Sequence, residues 1–204
     1  MPRASFYHRY GKRALDLALT IPALIVLSPV LLLIALSVRL TLGAPILFRQ
    51  MRPGLYGKPF TLYKFRTMTD ARDAQGNLLP DAERLTALGH FLRRFKLDEL
   101  PQLLNVLRGD MSIVGPRPGL LSQLAEYDAN ARKRLLVRPG LTGLAQINGN
   151  TYLSWSERWQ YDTEYVDHLS FRLDAWIIWR TFAVILRGEG KFVRFPDYTQ
   201  NVRR

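Results

Sequence analysis

Residues 17–38 contain no charged side chain; as a helix this run would reach roughly 33 Å, about the thickness of a hydrocarbon core. It exceeds a signal-peptide core, lacks a small-residue cleavage pattern and has Asp16 at its entrance, so it predicts a retained membrane segment. Pro22 and Ser28-Pro29 fall inside it. Pro29 removes a backbone donor and its ring crowds the preceding turn, while the Ser28 hydroxyl can serve the freed carbonyl, so a kink is expected. Further on, Phe60, Leu62 and Lys64 alternate with Thr61, Tyr63 and Phe65, and Pro53-Gly54 and Gly57 punctuate turns, predicting extended structure over 45–67 and a hairpin. Leu85, Leu88, Leu92 and Phe95 follow Pro80-Asp81 at helical spacing, predicting a helix over 81–95. Leu100, Leu103, Leu104 and Leu107 predict a second over 98–107, with Pro101 in its first turn and Gly109 as its stop. A third, strongly basic helix is expected over 126–137. Ser170 opens a last helix to about residue 186, in which Trp176, Ile177, Ile178, Trp179, Phe182 and Ile185 mix with Arg172, Arg180 and Arg187. That mixture suits a membrane interface and equally a buried helix with arginine ends.

Charge changes the picture of the membrane segment. Of 204 residues, 29 are Lys or Arg and 17 Asp or Glu, a net +12, which calls for a polyanionic partner: nucleic acid, anionic lipid or a phosphorylated substrate. Residues 1–13 carry Arg3, Arg9, Lys12 and Arg13 with no acid, and residues 39–72 carry seven Lys/Arg against Asp70 alone. Basic flanks stay on the cytoplasmic side. A segment that enters and returns through one leaflet at a Ser28-Pro29 break satisfies both flanks. A proline-kinked spanning helix, the commoner arrangement in general, satisfies one. There is no cysteine, and His8, His90 and His168 are the only imidazoles, which excludes disulfides and thiolate chemistry and leaves little for zinc. No Walker loop, dinucleotide fingerprint or serine triad is present. The expected organisation is a basic segment and membrane helix over 1–39, a catalytic domain over 40–190 and a basic tail over 191–204.

The richest segment is Leu97-Asp-Glu-Leu-Pro-Gln102 followed by Gly109-Asp-Met-Ser-Ile-Val-Gly-Pro-Arg-Pro118. Asp98 and Glu99 are adjacent carboxylates at a predicted helix N-terminus, where the dipole favours the ionised form; two such groups also suit a hard cation such as Mg²⁺. Helix capping by Asp98, with Glu99 solvated, is the alternative. Arg93, Arg94 and Lys96 stand just before, and Arg117 lies between Pro116 and Pro118, a pre-set backbone suited to an arginine clamp on phosphate.

Taken with Lys12-Arg13…Asp16, Ser28-Pro29, Phe48-Arg-Gln-Met-Arg-Pro-Gly54, Lys64-Phe-Arg-Thr-Met68 and Arg138-Pro-Gly-Leu-Thr-Gly143, these motifs resemble, in order from about residue 8 to 187, the small monotopic phosphoglycosyl transferases of the bacterial sugar transferase family. The resemblance implies an α+β, mainly helical fold: a re-entrant membrane helix broken at Ser28-Pro29, a small hairpin, and a helical catalytic domain with interfacial helices on the cytoplasmic face of the inner membrane. It implies transfer of a sugar 1-phosphate from a UDP-sugar to undecaprenyl phosphate, with Asp98 as nucleophile and Glu99 assisting Mg²⁺ and the reacting phosphate. By the same matching, Lys64, Arg93 and Arg117 would contact phosphate, and Asp162 and Asp174 fall in polar C-terminal motifs. Relatives of this small size often use an N-acetylated amino sugar, so the resemblance implies one here over a hexose. After Gln146-Ile-Asn-Gly149 many relatives continue Arg-Asn, where this chain has Asn150-Thr151, either a loop change without consequence or an altered substrate contact. Anionic lipids are expected partners, nucleic acid is not, and a homodimer stays open. The rival functions are a membrane-anchored nucleic-acid binder, for which the basic charge speaks, and a non-catalytic scaffold.

Overall fold

The computed structural model describes residues 6–194. A π-helical turn, Tyr7–Gly11, leads into α1, Lys12–Leu42, which Gly43 ends with φ at 74°. The helix continues through Pro22 and Pro29, so the expected division at Ser28-Pro29 is not expressed as a gap. The reason is local: the Ser28 hydroxyl donates to the Ile25 carbonyl at 2.8 Å, the acceptor that the missing Pro29 N–H would have used. Among the described residues α1 is the one helix long and apolar enough to cross a membrane. Ile25, Val26, Leu32, Leu33 and Leu40 on it are each at least 65% exposed, which suggests membrane association.

One stripe of α1 faces the rest of the protein. Lys12, Asp16 and Thr20 are buried at its start and Ile34 and Val38 near its end, each series at four-residue spacing. The first series is polar and tied: Lys12 Nζ lies 2.7 Å from Asp174 Oδ2, and Asp16 Oδ1 accepts from Ser112 Oγ and the Ile113 amide, both at 2.9 Å. Arg13 donates to the Val106 and Leu107 carbonyls. Ile34 and Val38 instead join Phe65 and Leu92 in an apolar cluster.

The predicted hairpin is present: β1, Leu47–Pro53, and β2, Pro59–Phe65, pair antiparallel with Leu47 opposite Phe65 and Pro53 opposite Pro59. The helix expected over 81–95 divides into α2, Asp81–Arg84, and α3, Ala87–Arg94. Leu85 leaves the helix to bridge Met68, and the Thr86 side chain accepts from the Gly89 amide and caps a new start. The helix expected from 98 begins later, as α4, Gln102–Arg108, while Leu97–Glu99 forms a 3₁₀ turn. Pro101 has no N–H to close an α-helical bond onto the Leu97 carbonyl. Gly109 does end α4, with φ at 87°.

Over 126–137 no α-helix forms. A 3₁₀ helix, Ala131–Leu136, takes its place, and its three-residue repeat turns Ala131 and Arg134 to one buried face. Arg134 there meets Asp162 at 2.7 Å. Two strands unforeseen from sequence, β3, Ser112–Val114, and β4, Gly140–Thr142, pair in parallel. A Cβ at Gly140 would lie 2.1 Å from the Gly115 nitrogen, so the pairing requires glycine there. A short α5, Leu144–Ile147, follows, then α6, Trp155–Asp167, and α7, Phe171–Arg187. Ser170 caps the last as expected. The main core gathers Val114, Leu144, Ile147, Tyr165, Ile177 and Val184 between β3, α5, α6 and α7. Phe192 packs on it, and the Arg194 amide donates to the Asn148 carbonyl at 2.9 Å; the remainder of the expected tail lies outside the described residues.

Asp174 is fully buried and also accepts from Tyr7 Oη and Tyr165 Oη. Asp174→Asn should lower unfolding stability by about 3–5 kcal/mol by leaving Lys12 buried without its counter-charge. Thermal unfolding in detergent measures this, and adding Lys12→Met should recover most of the loss. Equal melting temperatures for the wild type and Asp174→Asn would show that the pair holds nothing.

Candidate active site

Four elements converge on one place. Strand β2 presents Lys64, the end of α3 presents Arg93, the 3₁₀ turn presents Asp98 and Glu99, and the loop after β3 presents Arg117. Alternation along β2 continues past its end, so Arg66 follows Lys64 on one face. Lys64, Arg66, Arg93, Lys96, Asp98 and Glu99 line a polar cavity of about 660 Å³. Arg66 and Lys96 were not among the residues singled out from sequence as substrate contacts; the i, i+2 spacing of Lys64 and Arg66 carried the signal. Thr67 was missed as well: its hydroxyl accepts from Arg93 Nε at 3.1 Å and fixes the guanidinium.

The two carboxylates differ sharply. Glu99 Oε1 accepts from Lys64 Nζ at 2.7 Å and from Arg117 Nη2, and Oε2 accepts from Arg117 Nη1 at 3.2 Å. Burial pushes the Glu99 carboxyl up, but the Arg117 guanidinium and Lys64 ammonium outweigh it and hold Glu99 well below the usual carboxylate range. Asp98 is 7% exposed, and its carboxylate accepts no hydrogen bond among the described residues. Burial raises its pKa and the Glu99 charge adds to the rise, while Lys64, Arg93 and Lys96 oppose it. The helix-terminus expectation for Asp98 therefore needs correcting: it precedes α4, and its environment favours the ionised form less than a capped helix end would.

The other expected residues lie elsewhere. Asp174 is the anchor of α1. Asp162 is buried with Arg134 and lines a separate cavity of about 140 Å³ together with Arg117 and Asn150. Asn150 is buried with φ at 44°, a left-handed conformation that asparagine tolerates better than most side chains. Ser28 and Pro29 sit in the exposed middle of α1, away from this group.

The model of the family described as bacterial sugar transferase matches residues 7–188, nearly the whole described chain. The protein belongs to the bacterial sugar transferase family. It is 52% identical over 179 residues to the uncharacterized sugar transferase EpsL of Bacillus subtilis, covering 88% of this chain and 89% of that one. It is 39% identical to the exopolysaccharide production protein ExoY of Sinorhizobium fredii, over 89% of this chain and 88% of that one. With the UDP-glucose:undecaprenyl-phosphate glucose-1-phosphate transferase of Escherichia coli it shares 41% identity over 85% of its own length and 40% of the longer relative.

In this sugar transferase the clamp on Glu99 makes acid stability testable. An unfolded glutamate titrates near 4.5; the folded one titrates lower, so its contribution is full above about 4.5 and is lost as the pH falls through the folded value. Melting temperatures measured from pH 6 to 3 should fall less steeply for Glu99→Gln than for the wild type. Parallel curves would remove the clamp from the account.

Proposed function

We propose that this enzyme transfers a sugar 1-phosphate from a UDP-sugar to undecaprenyl phosphate, giving undecaprenyl diphosphate sugar and UMP, as the first membrane step of a surface polysaccharide. The E. coli relative is named for this reaction with glucose, and a Salmonella relative, 36% identical, is an undecaprenyl-phosphate galactose phosphotransferase. The observation that carries the mechanism is the inequality of the dyad: Glu99 is paired with two cations, while the Asp98 carboxylate beside it accepts no hydrogen bond among the described residues, in a cation-lined cavity.

An Asp98 carboxylate oxygen attacks the sugar-bearing phosphorus of the donor. The bond from that phosphorus to the bridging oxygen breaks, and UMP leaves with the electron pair. Lys64, Arg93 and Arg117 offset the charge on the phosphate oxygens. An oxygen of polyprenyl phosphate then attacks the same phosphorus, and Asp98 departs as carboxylate. Splitting the exchange lets two bulky anions use one site in turn. The residues present suit Mg²⁺: Asp98 and Glu99 are oxygen donors on one cavity, Glu99 Oε2 takes a single long hydrogen bond, and Mg²⁺ sites commonly combine one or two carboxylates with substrate phosphates. Among the described residues no group of three or more His, Asp or Glu forms a richer cage. When bound, the ion would supply charge neutralisation on the diphosphate.

A monotopic arrangement on the cytoplasmic face, with residues 17–38 entering and leaving one leaflet, is supported by the two basic flanks and by how α1 docks. Lys12 and Val38, some 39 Å apart along a helix axis, both pack on the same catalytic body. A helix crossing the bilayer would set these contacts on opposite sides of a hydrocarbon core.

Two experiments test this. Asp98→Asn keeps shape but loses the nucleophile, so turnover should fall by at least a thousandfold while the protein still folds and inserts. With Mg²⁺ and donor but no lipid acceptor, the wild type should release up to one UMP per enzyme and keep a labelled sugar phosphate at Asp98. Active enzyme that gives neither until polyprenyl phosphate is added would demote Asp98 to a ligand or base. For topology, the chain has no cysteine, so His8→Cys and Gln75→Cys each provide a single thiol. Both should resist an impermeant thiol reagent in intact cells and react after permeabilisation. Labelling of His8→Cys alone in intact cells would establish a spanning helix.

A further inference from the structure

Seven buried side-chain polar atoms among the described residues lack a hydrogen-bond partner, and four of them belong to residues lining the single 140 Å³ cavity beyond Arg117. They are Arg52 Nε, Arg134 Nε, Gln146 Oε1 and Asp162 Oδ1. Arg134, Gln146 and Asp162 are each at least nine-tenths buried. Buried polar atoms are nearly always paired in folded proteins, so this concentration points to a polar occupant. Two are N–H donors and two are oxygen acceptors. A uracil ring presents acceptor, donor and acceptor along its O4, N3–H and O2 edge, the pattern complementary to two guanidinium N–H groups flanking an acceptor. Trp155 lines the same cavity, and an indole suits a flat base.

The in-line displacement constrains where the base can lie. Attack and departure lie roughly in line through phosphorus, so the leaving UMP projects away from Asp98. Asp98 lines the open cavity of about 660 Å³. Glu99 borders it too, and Arg117 on Glu99 forms a wall of the small cavity. Placing the base in the small cavity, past Glu99 and Arg117, gives the leaving UMP a direction away from Asp98. Its size suits one ring, leaving the variable sugar in the open cavity.

We propose that this cavity, between the Ala131–Leu136 turn, α5 and α6, binds the uracil base of the donor, with Arg52, Arg134, Gln146 and Asp162 reading its edge. This rests on the assignment of Asp98 as nucleophile toward a UDP-sugar. The test uses the purified full chain in detergent. UMP should bind at least tenfold more tightly than CMP, because cytosine presents a donor and an acceptor where uracil presents the reverse at two of three edge positions. Gln146→Leu and Arg52→Gln, which leave the Arg134–Asp162 pair intact, should each shrink that ratio severalfold, and shrink equally the ratio of burst rates between UDP- and CDP-linked forms of one sugar. Equal binding of UMP and CMP by the wild type overturns the proposal. So does a variant that alters discrimination between sugars on UDP and leaves discrimination between bases unchanged. Absence of a burst from every nucleotide sugar would strike the transfer mechanism instead, with the UMP and CMP comparison still judging the cavity.

Discussion

A carboxylate sealed from water with three donors on it fixes this structure. Asp174 takes Lys12 and Tyr7 from the entry of α1 and Tyr165 from α6. Apart from Ile34 and Val38 in the cluster with Phe65 and Leu92, an apolar helix that leaves most of its surface bare has little hydrophobic reason to sit at one angle on the domain. Charge pairing under exclusion of water supplies that reason, because a buried ion without its partner is strongly unfavourable. Asp16 on Ser112 and Ile113, one helical turn on, and Arg13 on the last carbonyls of α4 add hydrogen bonds from charged side chains to neutral groups. Through β3 and α4 these bonds reach the segments that carry Arg117 and the dyad, so helix and chemistry share a frame.

Within that frame, adjacent acids acquire different characters from their surroundings alone. Glu99 is surrounded by cations and works as an electrostatic keystone that orients Lys64 and Arg117. Asp98 keeps its oxygens open, with burial and a like charge raising its affinity for a proton. Pairs of titratable groups driven apart in this way commonly mark a division of labour in an active site.

Much of this was legible in the residues. Alternation gave the hairpin, Ser170 and the aromatic stripe gave α7, and Leu100 to Leu107 gave α4 apart from its first turn. The motifs named the dyad and three cations that the fold brings near one another, but nothing in their order reveals that Glu99, not Asp98, takes Lys64 and Arg117. Helix α6 escaped notice because its inward face mixes Tyr161, Asp162 and Tyr165, which blurs apolar periodicity; the Ser154 and Glu157 capping box was the available signal. The three-residue strands β3 and β4 were illegible, since parallel partners far apart in sequence leave no turn signature between them. Asp174 was visible as an acid in a polar motif, yet only packing shows it to be an ion-pair anchor of α1.

The bare middle of α1, docked at both ends on one body, has a kinetic consequence. In the proposed monotopic arrangement the protein would meet a lipid-borne reactant by two-dimensional diffusion, so its rate of encounter would follow the areal density of that lipid and not its amount in the cell. On that proposal, dilution of the surrounding solution would leave the supply of a lipid acceptor untouched, whereas expansion of the membrane at constant lipid number would slow it.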